Sequence, residues 1–192
     1  MTPADLTRPR SVRAHQAVLD ATRELLAEGG LVAATTDAIA ARSKVSKATI
    51  YNHWPSRGAI AAEAFGLAMA QALPRPRTAS ALGDLREHMR RLAAFYASDQ
   101  GRIFAQLLAA GVTDEHSASF FADFFLAGRR AIMRELWEAA QAEGAVRGDV
   151  DADLATDLLA GPLVFRLMSG HAPLTPRACG EVIDATFAGL LA

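Results

Sequence analysis

Residues 35–57 read TTDAIAARSKVSKATIYNHWPSR, and this stretch decides the fold. It divides into two short helices around a tight turn. Thr36 stands before the apolar-periodic run Ala38-Ile39-Ala40-Ala41, where a hydroxyl serves as an N-cap. Ser43-Lys44-Val45 interrupts the run, and Ser46 caps a second helix from Lys47 to about His53. In a helix-turn-helix the N-terminal residues of the second helix enter the major groove. Here they are Lys47, Ala48 and Thr49: a base-edge donor, a small apolar contact for a thymine methyl, and a hydroxyl. Ile50 points into the core. Tyr51 and His53 stand near the far end, within reach of phosphate oxygens. Asn52 faces the groove or solvent, and Trp54 is more at home in a core than on DNA.

The stretch resembles the N-terminal domain of the tetracycline-repressor (TetR) family of bacterial transcription regulators. Thr36, Ile39-Ala40, Val45-Ser46-Lys47, Thr49-Ile50-Tyr51, His53-Trp54 and Ser56-Arg57 carry the likeness. Upstream, Ala17 to Ala21, Leu25-Leu26 and Gly29-Gly30 look like the family's first helix and its stop. A second stretch, Asp151 to Leu174, resembles the C-terminal domain of one branch. The resemblance implies phosphate contacts from Tyr51, His53 and Arg57, and from Thr36 in addition to its cap. Two positions depart from the pattern. Lys44 takes a turn position usually held by glycine, which reaches φ > 0 cheaply; a lysine there costs up to about 1 kcal/mol unless the turn differs. It also offers a phosphate contact. Arg57 replaces a usual lysine and keeps its charge.

Composition fits an all-α chain. Of 192 residues, 51% are hydrophobic, ample for a core. Alanine and leucine abound while β-branched residues are sparse. The net charge of −1 excludes a non-specific nucleic-acid sponge, yet it is unevenly spread. Residues 1–57 hold eight basic against five acidic side chains, and both lysines of the chain, Lys44 and Lys47, fall in the helix-turn-helix. A positive end on a near-neutral protein suits a phosphate-facing domain. Cys179 is the single cysteine, so no disulfide forms within one chain, and a reducing cytoplasm fits. The N-terminus lacks the apolar run of a signal peptide. No stretch approaches the roughly 18 apolar residues of a membrane span. Histidines are scattered singly, and no metal site or cofactor is expected.

Helical spacing predicts about nine helices. Residues 1–9 form a disordered arm before helix 1, from about Arg10 to Glu28. The next two helices complete a DNA-binding domain over 1–55. Residues 56–192 form a ligand-binding and dimerisation domain. Its helices run from Ser56 to about Leu73, from Ser80 to about Tyr96, and from about Gly101 to Ala110. They continue from a Thr113 cap to about Glu143, from an Asp151 cap to about Ser169 with a break at Gly161-Pro162, and from Thr175-Pro176 to the end.

Helices in the middle of the chain carry Met89, Phe95, Tyr96, Phe104, Leu108, Phe121, Phe124, Met133, Phe165 and Met168. Ordinary core explains such residues. The sharper expectation is a pocket for a small hydrophobic ligand, oriented by Tyr96, His116 and Arg129. By the resemblance, the last two helices make a homodimer interface. Leu158, Leu159, Val164, Leu167, Val182, Ile183, Phe187, Leu190 and Leu191 offer more apolar faces than a two-helix tail needs for itself.

These features point to a ligand-responsive repressor that binds a palindromic double-stranded DNA operator as a homodimer. The alternative is a DNA-binding regulator without a small ligand, gated by a protein partner. An enzyme is disfavoured: the chain has no nucleophile elbow, phosphate-binding glycine loop or metal-ligand cluster.

Overall fold

The computed structural model describes residues 9–70 and 74–192, with side chains from residue 12 onward. The expected arm, apart from Pro9, and the expected end of the fourth helix lie outside the described residues. Ten α-helices are present among the described residues: α1 (Pro9–Ala33), α2 (Thr36–Ser43), α3 (Lys47–His53), α4 (Arg57–Met69), α5 (Ala81–Tyr96), α6 (Asp99–Gly111), α7 (Glu115–Phe121), α8 (Ala127–Ala142), α9 (Ala152–Ser169) and α10 (Pro176–Ala188). A π turn over Ala122–Leu126 joins α7 to α8 without a loop, so the described residues make nine helical runs. Extended pairing is confined to one bridge, Val146 to Leu191.

Several boundaries differ from the sequence expectation, each for a local reason. Thr35, not Thr36, caps α2: its side chain accepts from the Ala38 N–H at 3.1 Å, and Thr36 is the first helical residue. Asp114, not Thr113, caps α7, accepting from His116 N–H at 3.1 Å. In both cases two adjacent residues have capping side chains, and spacing alone does not choose between them. The glycine pair Gly29-Gly30 does stop the regular part of α1, with Gly30 at φ 66°. A Cβ on Gly30 would also meet the Gln106 side chain, whose Oε1 accepts from Leu31 N–H at 2.7 Å. The expected break at Gly161-Pro162 is absent and α9 runs through it. Both residues are exposed, the setting in which solvent can serve the carbonyl that the proline cannot.

The chain separates into two compact units: residues 9–70 with 106–125, and 74–105 with 126–192. The division therefore does not fall as a single boundary after residue 55. Helix α4 stays with the N-terminal helices because it shares their core. In the first unit Val18, Leu25, Ile39, Ile50, Trp54, Ile60 and Phe65 are fully buried. Phe65 lies 5.3 Å from Phe125, whose ring stacks on Phe121 at 5.2 Å. Phe121 and Phe125, four residues apart, both face inward. Ser56 caps α4 and donates to Asp114 at 2.7 Å. Hydrogen bonds from Ser117 first, then Ser56, hold the Asp114 carboxyl below the usual aspartate range.

The second unit is built on Leu85, Met89, Leu136, Trp137, Leu159, Leu163 and Phe187, all buried. Trp137 donates its indole N–H to the Val150 carbonyl at 3.0 Å, which satisfies the one polar atom of a buried ring. Arg130 and Arg134 on α8 both reach Asp153 on α9, at 3.2 and 3.1 Å.

Candidate nucleic-acid interface and ligand-binding residues

The expected reading head is α2, α3 and the turn between them. Lys44 sits in that turn at φ 57°, ψ 25°, the left-handed conformation expected of a glycine. The turn thus keeps its geometry despite the lysine. Ser43 supports it by accepting from Val45 N–H at 3.3 Å. Arg42 anchors α2 to α1 through Glu28, at 2.6 and 3.1 Å. This hydrogen bond raises the Arg42 pKa and lowers that of Glu28.

Ser46 caps α3, accepting from Thr49 N–H at 3.2 Å, and its hydroxyl lies 2.9 Å from that of Thr49. The Thr49 side chain is therefore half-buried and partly engaged, while Lys47 and Ala48 are exposed on the first turn. Lys47 pairs with Asp37 on α2, and that hydrogen bond raises its pKa. The ammonium is thus charged and held over the start of the reading helix. Tyr51 is 55% exposed and Asn52 is exposed beside it. Arg57 is exposed at the first turn of α4, where free N–H groups and the helix dipole already favour an anion. Trp54 is buried, as expected of a core residue.

Sequence reasoning missed what holds the far end of α3. Trp54 is its C-cap, with backbone N–H to the Ile50 carbonyl at 3.0 Å. The Trp54 indole N–H donates to Glu63 Oε2 at 2.6 Å. The other Glu63 oxygen lies 2.8 Å from His15 Nε2, and the His15 ring stacks on Trp54 with centroids 4.6 Å apart. Glu63 is only 6% exposed, so one buried carboxylate ties α1, α3 and α4 together. The signal was available: Glu63 is the single charge in the apolar run Gly58 to Gly66. His53 is half-buried, its ring 5.9 Å from His15, and its Nδ1 is buried without a hydrogen-bond partner. A bare Nδ1 fits the tautomer that carries its proton on Nε2, leaving that N–H to donate.

The expected ligand-pocket residues do not form one group. In the second unit Met89, Phe95, Tyr96, Phe104 and Met133 are buried, with the Tyr96 ring 5.5 Å from Phe95 and 5.2 Å from Phe104. Phe165 and Met168 are instead exposed, at 64% and 43%, because they lie on the outer side of α9. In the first unit Phe121 is buried, Leu108 half-buried, Phe124 exposed against Phe120, and His116 exposed. The buried histidine is His88, which was not anticipated. Burial first, then Arg129 and Arg91, pushes it down to about 4. Arg129 also acts electrostatically on Tyr96, whose hydroxyl is pushed up by burial.

The expected dimer residues divide in the same way. Leu159, Ile183, Phe187 and Leu190 are buried inside their own unit and belong to its core. Val164, Leu167 and Val182 are half-buried. Leu158 is 43% and Leu191 36% exposed. With Leu154, Phe165 and Met168, Leu158 makes an exposed apolar stripe along α9. Among the described residues no helix is long and apolar enough to cross a membrane, and no three His, Cys, Asp or Glu side chains are placed to hold a metal ion.

Comparison with known proteins covers both units. A family model described as bacterial regulatory proteins, tetR family, matches residues 18–64. One described as tetracyclin repressor-like, C-terminal domain, matches residues 75–186. The chain is 37% identical over 161 residues to YdeS of Bacillus subtilis (strain 168), an uncharacterized HTH-type transcriptional regulator, covering 84% of this chain and 81% of that one. Its structure is similar to the TetR family transcription regulator SCO0332, with a TM-score of 0.78, 30% identity, and coverage of 92% and 97% of the two chains. It also resembles the Flavonoid-responsive Regulator FrrA, with a TM-score of 0.65, 26% identity, and coverage of 92% and 94%.

Proposed function

The chain belongs to the TetR family of DNA-binding transcription regulators, which are not enzymes, and from that premise we propose a ligand-released repressor that grips a near-palindromic operator as a homodimer. The observation that carries this reading is the start of α3. Charged Lys47 and small Ala48 are exposed together on the first turn of a helix fixed at one end by Ser46 and at the other by Trp54. Lys47 reads a base edge, with guanine O6/N7 its favoured partner. Thr49 and Asn52 stand beside it. Thr36, Lys44, Tyr51, His53 and Arg57 grip phosphates, which position the head without reading sequence. Two heads related by a two-fold axis call for mirrored half-sites. The exposed stripe of Leu154, Leu158, Phe165 and Met168 supports a second copy as partner. A cytoplasmic location follows from work on DNA. A small, largely apolar effector bound within the second unit is the expected trigger, and the flavonoid-responsive neighbour is in keeping with it.

The test is operator selection from random duplexes, followed by titration of single-base variants. Lys47→Ala should lose about 1–3 kcal/mol of preference at one base pair of each half-site. Arg57→Ala should weaken all sequences alike and reduce the salt slope by about one. A uniform loss across operator variants for Lys47→Ala would remove its base-reading role.

A further inference from the structure

The second unit contains a hollow that the sequence did not foreshadow. It lies between the C-terminal half of α5 and the N-terminal half of α10, and its volume is ≈ 270 Å³. An apolar cavity of about 150 Å³ admits benzene, so this one accommodates a larger ring system. The space exists because the facing residues are small. Ala93 and Ala94 on α5 and Ala97 at its C-cap stand opposite Gly180 on α10, and a Cβ built on Gly180 would meet nothing within 4 Å. Cys179 and Ile183 complete an apolar wall. A second hollow shares Ala97 and Leu174 with the first and extends it toward the end of α9.

The charge along these walls has one sign. Arg90, Arg102 and Arg166 line the two hollows, and no aspartate or glutamate does. Glu87 serves both Arg90 and Arg91 and Asp99 pairs with Arg102 at 2.7 Å, so the surplus positive charge comes from the Glu87 cluster and from Arg166. Arg166 donates to the carbonyls of Pro173 and Ala178, at 3.4 and 3.1 Å. The first turn of α10 also faces the space, adding the positive end of its dipole.

We propose that this hollow is the effector site, and that it takes a small monoanion with an apolar body of ring size, such as an aromatic carboxylate. The body occupies the space above Gly180 between Ala93, Ala97 and Ile183. The carboxylate meets Arg90 in a charge-assisted hydrogen bond, stronger than one between neutral groups. The inference depends on the ligand-released reading in one respect only, that filling the site changes operator affinity.

The pair 1-naphthoate and 1-naphthalenemethanol tests it, because the two share a ring and differ in charge. Calorimetry on the full-length protein should show naphthoate binding at least about tenfold tighter than the alcohol, and Arg90→Gln should erase the difference. Gly180→Leu fills the hollow and should abolish both, while raising Tm because glycine is a poor helix former. Naphthoate should also slow modification of Cys179, the single thiol of the chain, by methyl methanethiosulfonate, which has to enter the same space. The site is overturned by equal binding to Gly180→Leu, by no preference for the anion, by an unchanged Cys179 rate, or by no binding at all, as when a second copy covers this face. Operator release is read separately. Naphthoate that fills the site and leaves the operator bound overturns the ligand-release reading and leaves the site standing.

Discussion

Lys44 carries the tension between stability and DNA contact in a single residue. Its φ of 57° disfavours any side chain with a Cβ, by roughly 1 kcal/mol, and glycine would remove that strain against a larger loss of unfolded-chain freedom. Lys44→Gly should therefore raise stability by up to about 1 kcal/mol, seen as a higher urea midpoint at unchanged slope. If the lysine meets phosphate, the same variant should lower the salt slope of operator binding by about one. His88 sets a second residue-scale expectation. Its pKa is about 4 in the folded protein against about 6.5 unfolded, so the unfolded chain binds more protons between those values. Stability then falls as pH drops from 6.5 toward 4, by roughly 3 kcal/mol from this one group. His88→Leu should flatten that part of a Tm-against-pH curve; a curve as steep as wild type would place the loss elsewhere.

At the scale of elements, the reading helix is held by a clasp rather than by its own propensity. Seven residues are too few for a stable isolated helix, and α3 depends on its Ser46 cap and on Glu63 behind Trp54. Glu63→Ala strands the buried Trp54 Nε1 donor and removes the partner of the half-buried His15 Nε2, at a cost of about 1–3 kcal/mol. Glu63→Gln keeps an acceptor for the indole and should lose distinctly less. Chemical denaturation ranks the two, and operator affinity should follow the same order; equal losses would make charge, not the clasp, the cause. The helices, the turn and the caps at Ser46, Ser80, Asp151 and Thr175 were legible because each is encoded within a few neighbouring residues. The clasp was not, because His15 and Glu63 are 48 positions apart and only folding brings them together. The π turn was equally hidden, since Phe120, Phe121, Phe124 and Phe125 suit an ordinary helix as well. Pocket residues were chosen for being apolar, which does not distinguish Met133 in the core from Phe165 on the surface.

For the whole molecule, the exposed apolar stripe on α9 is the face on which the proposed dimer is tested. Leu158 and Phe165 are exposed, so Leu158→Glu/Phe165→Glu should spare the core, sediment as a monomer and lose the affinity that two half-sites confer. Acidic residues in place of Phe187 and Leu190 would instead unfold the unit, since both side chains are buried. A folded dimer surviving the α9 double variant would direct attention to another face. The two tryptophans of the chain fall one to each unit. Trp54 is bonded to Glu63 within the reading head, and Trp137 to the Val150 carbonyl in the other unit. The protein therefore carries its own pair of optical labels. With Trp137→Phe the remaining emission reports the reading head alone, and with Trp54→Phe it reports the other unit. Overlaid fluorescence melts of the two variants would show whether the two units come apart together or one after the other, with no dye attached.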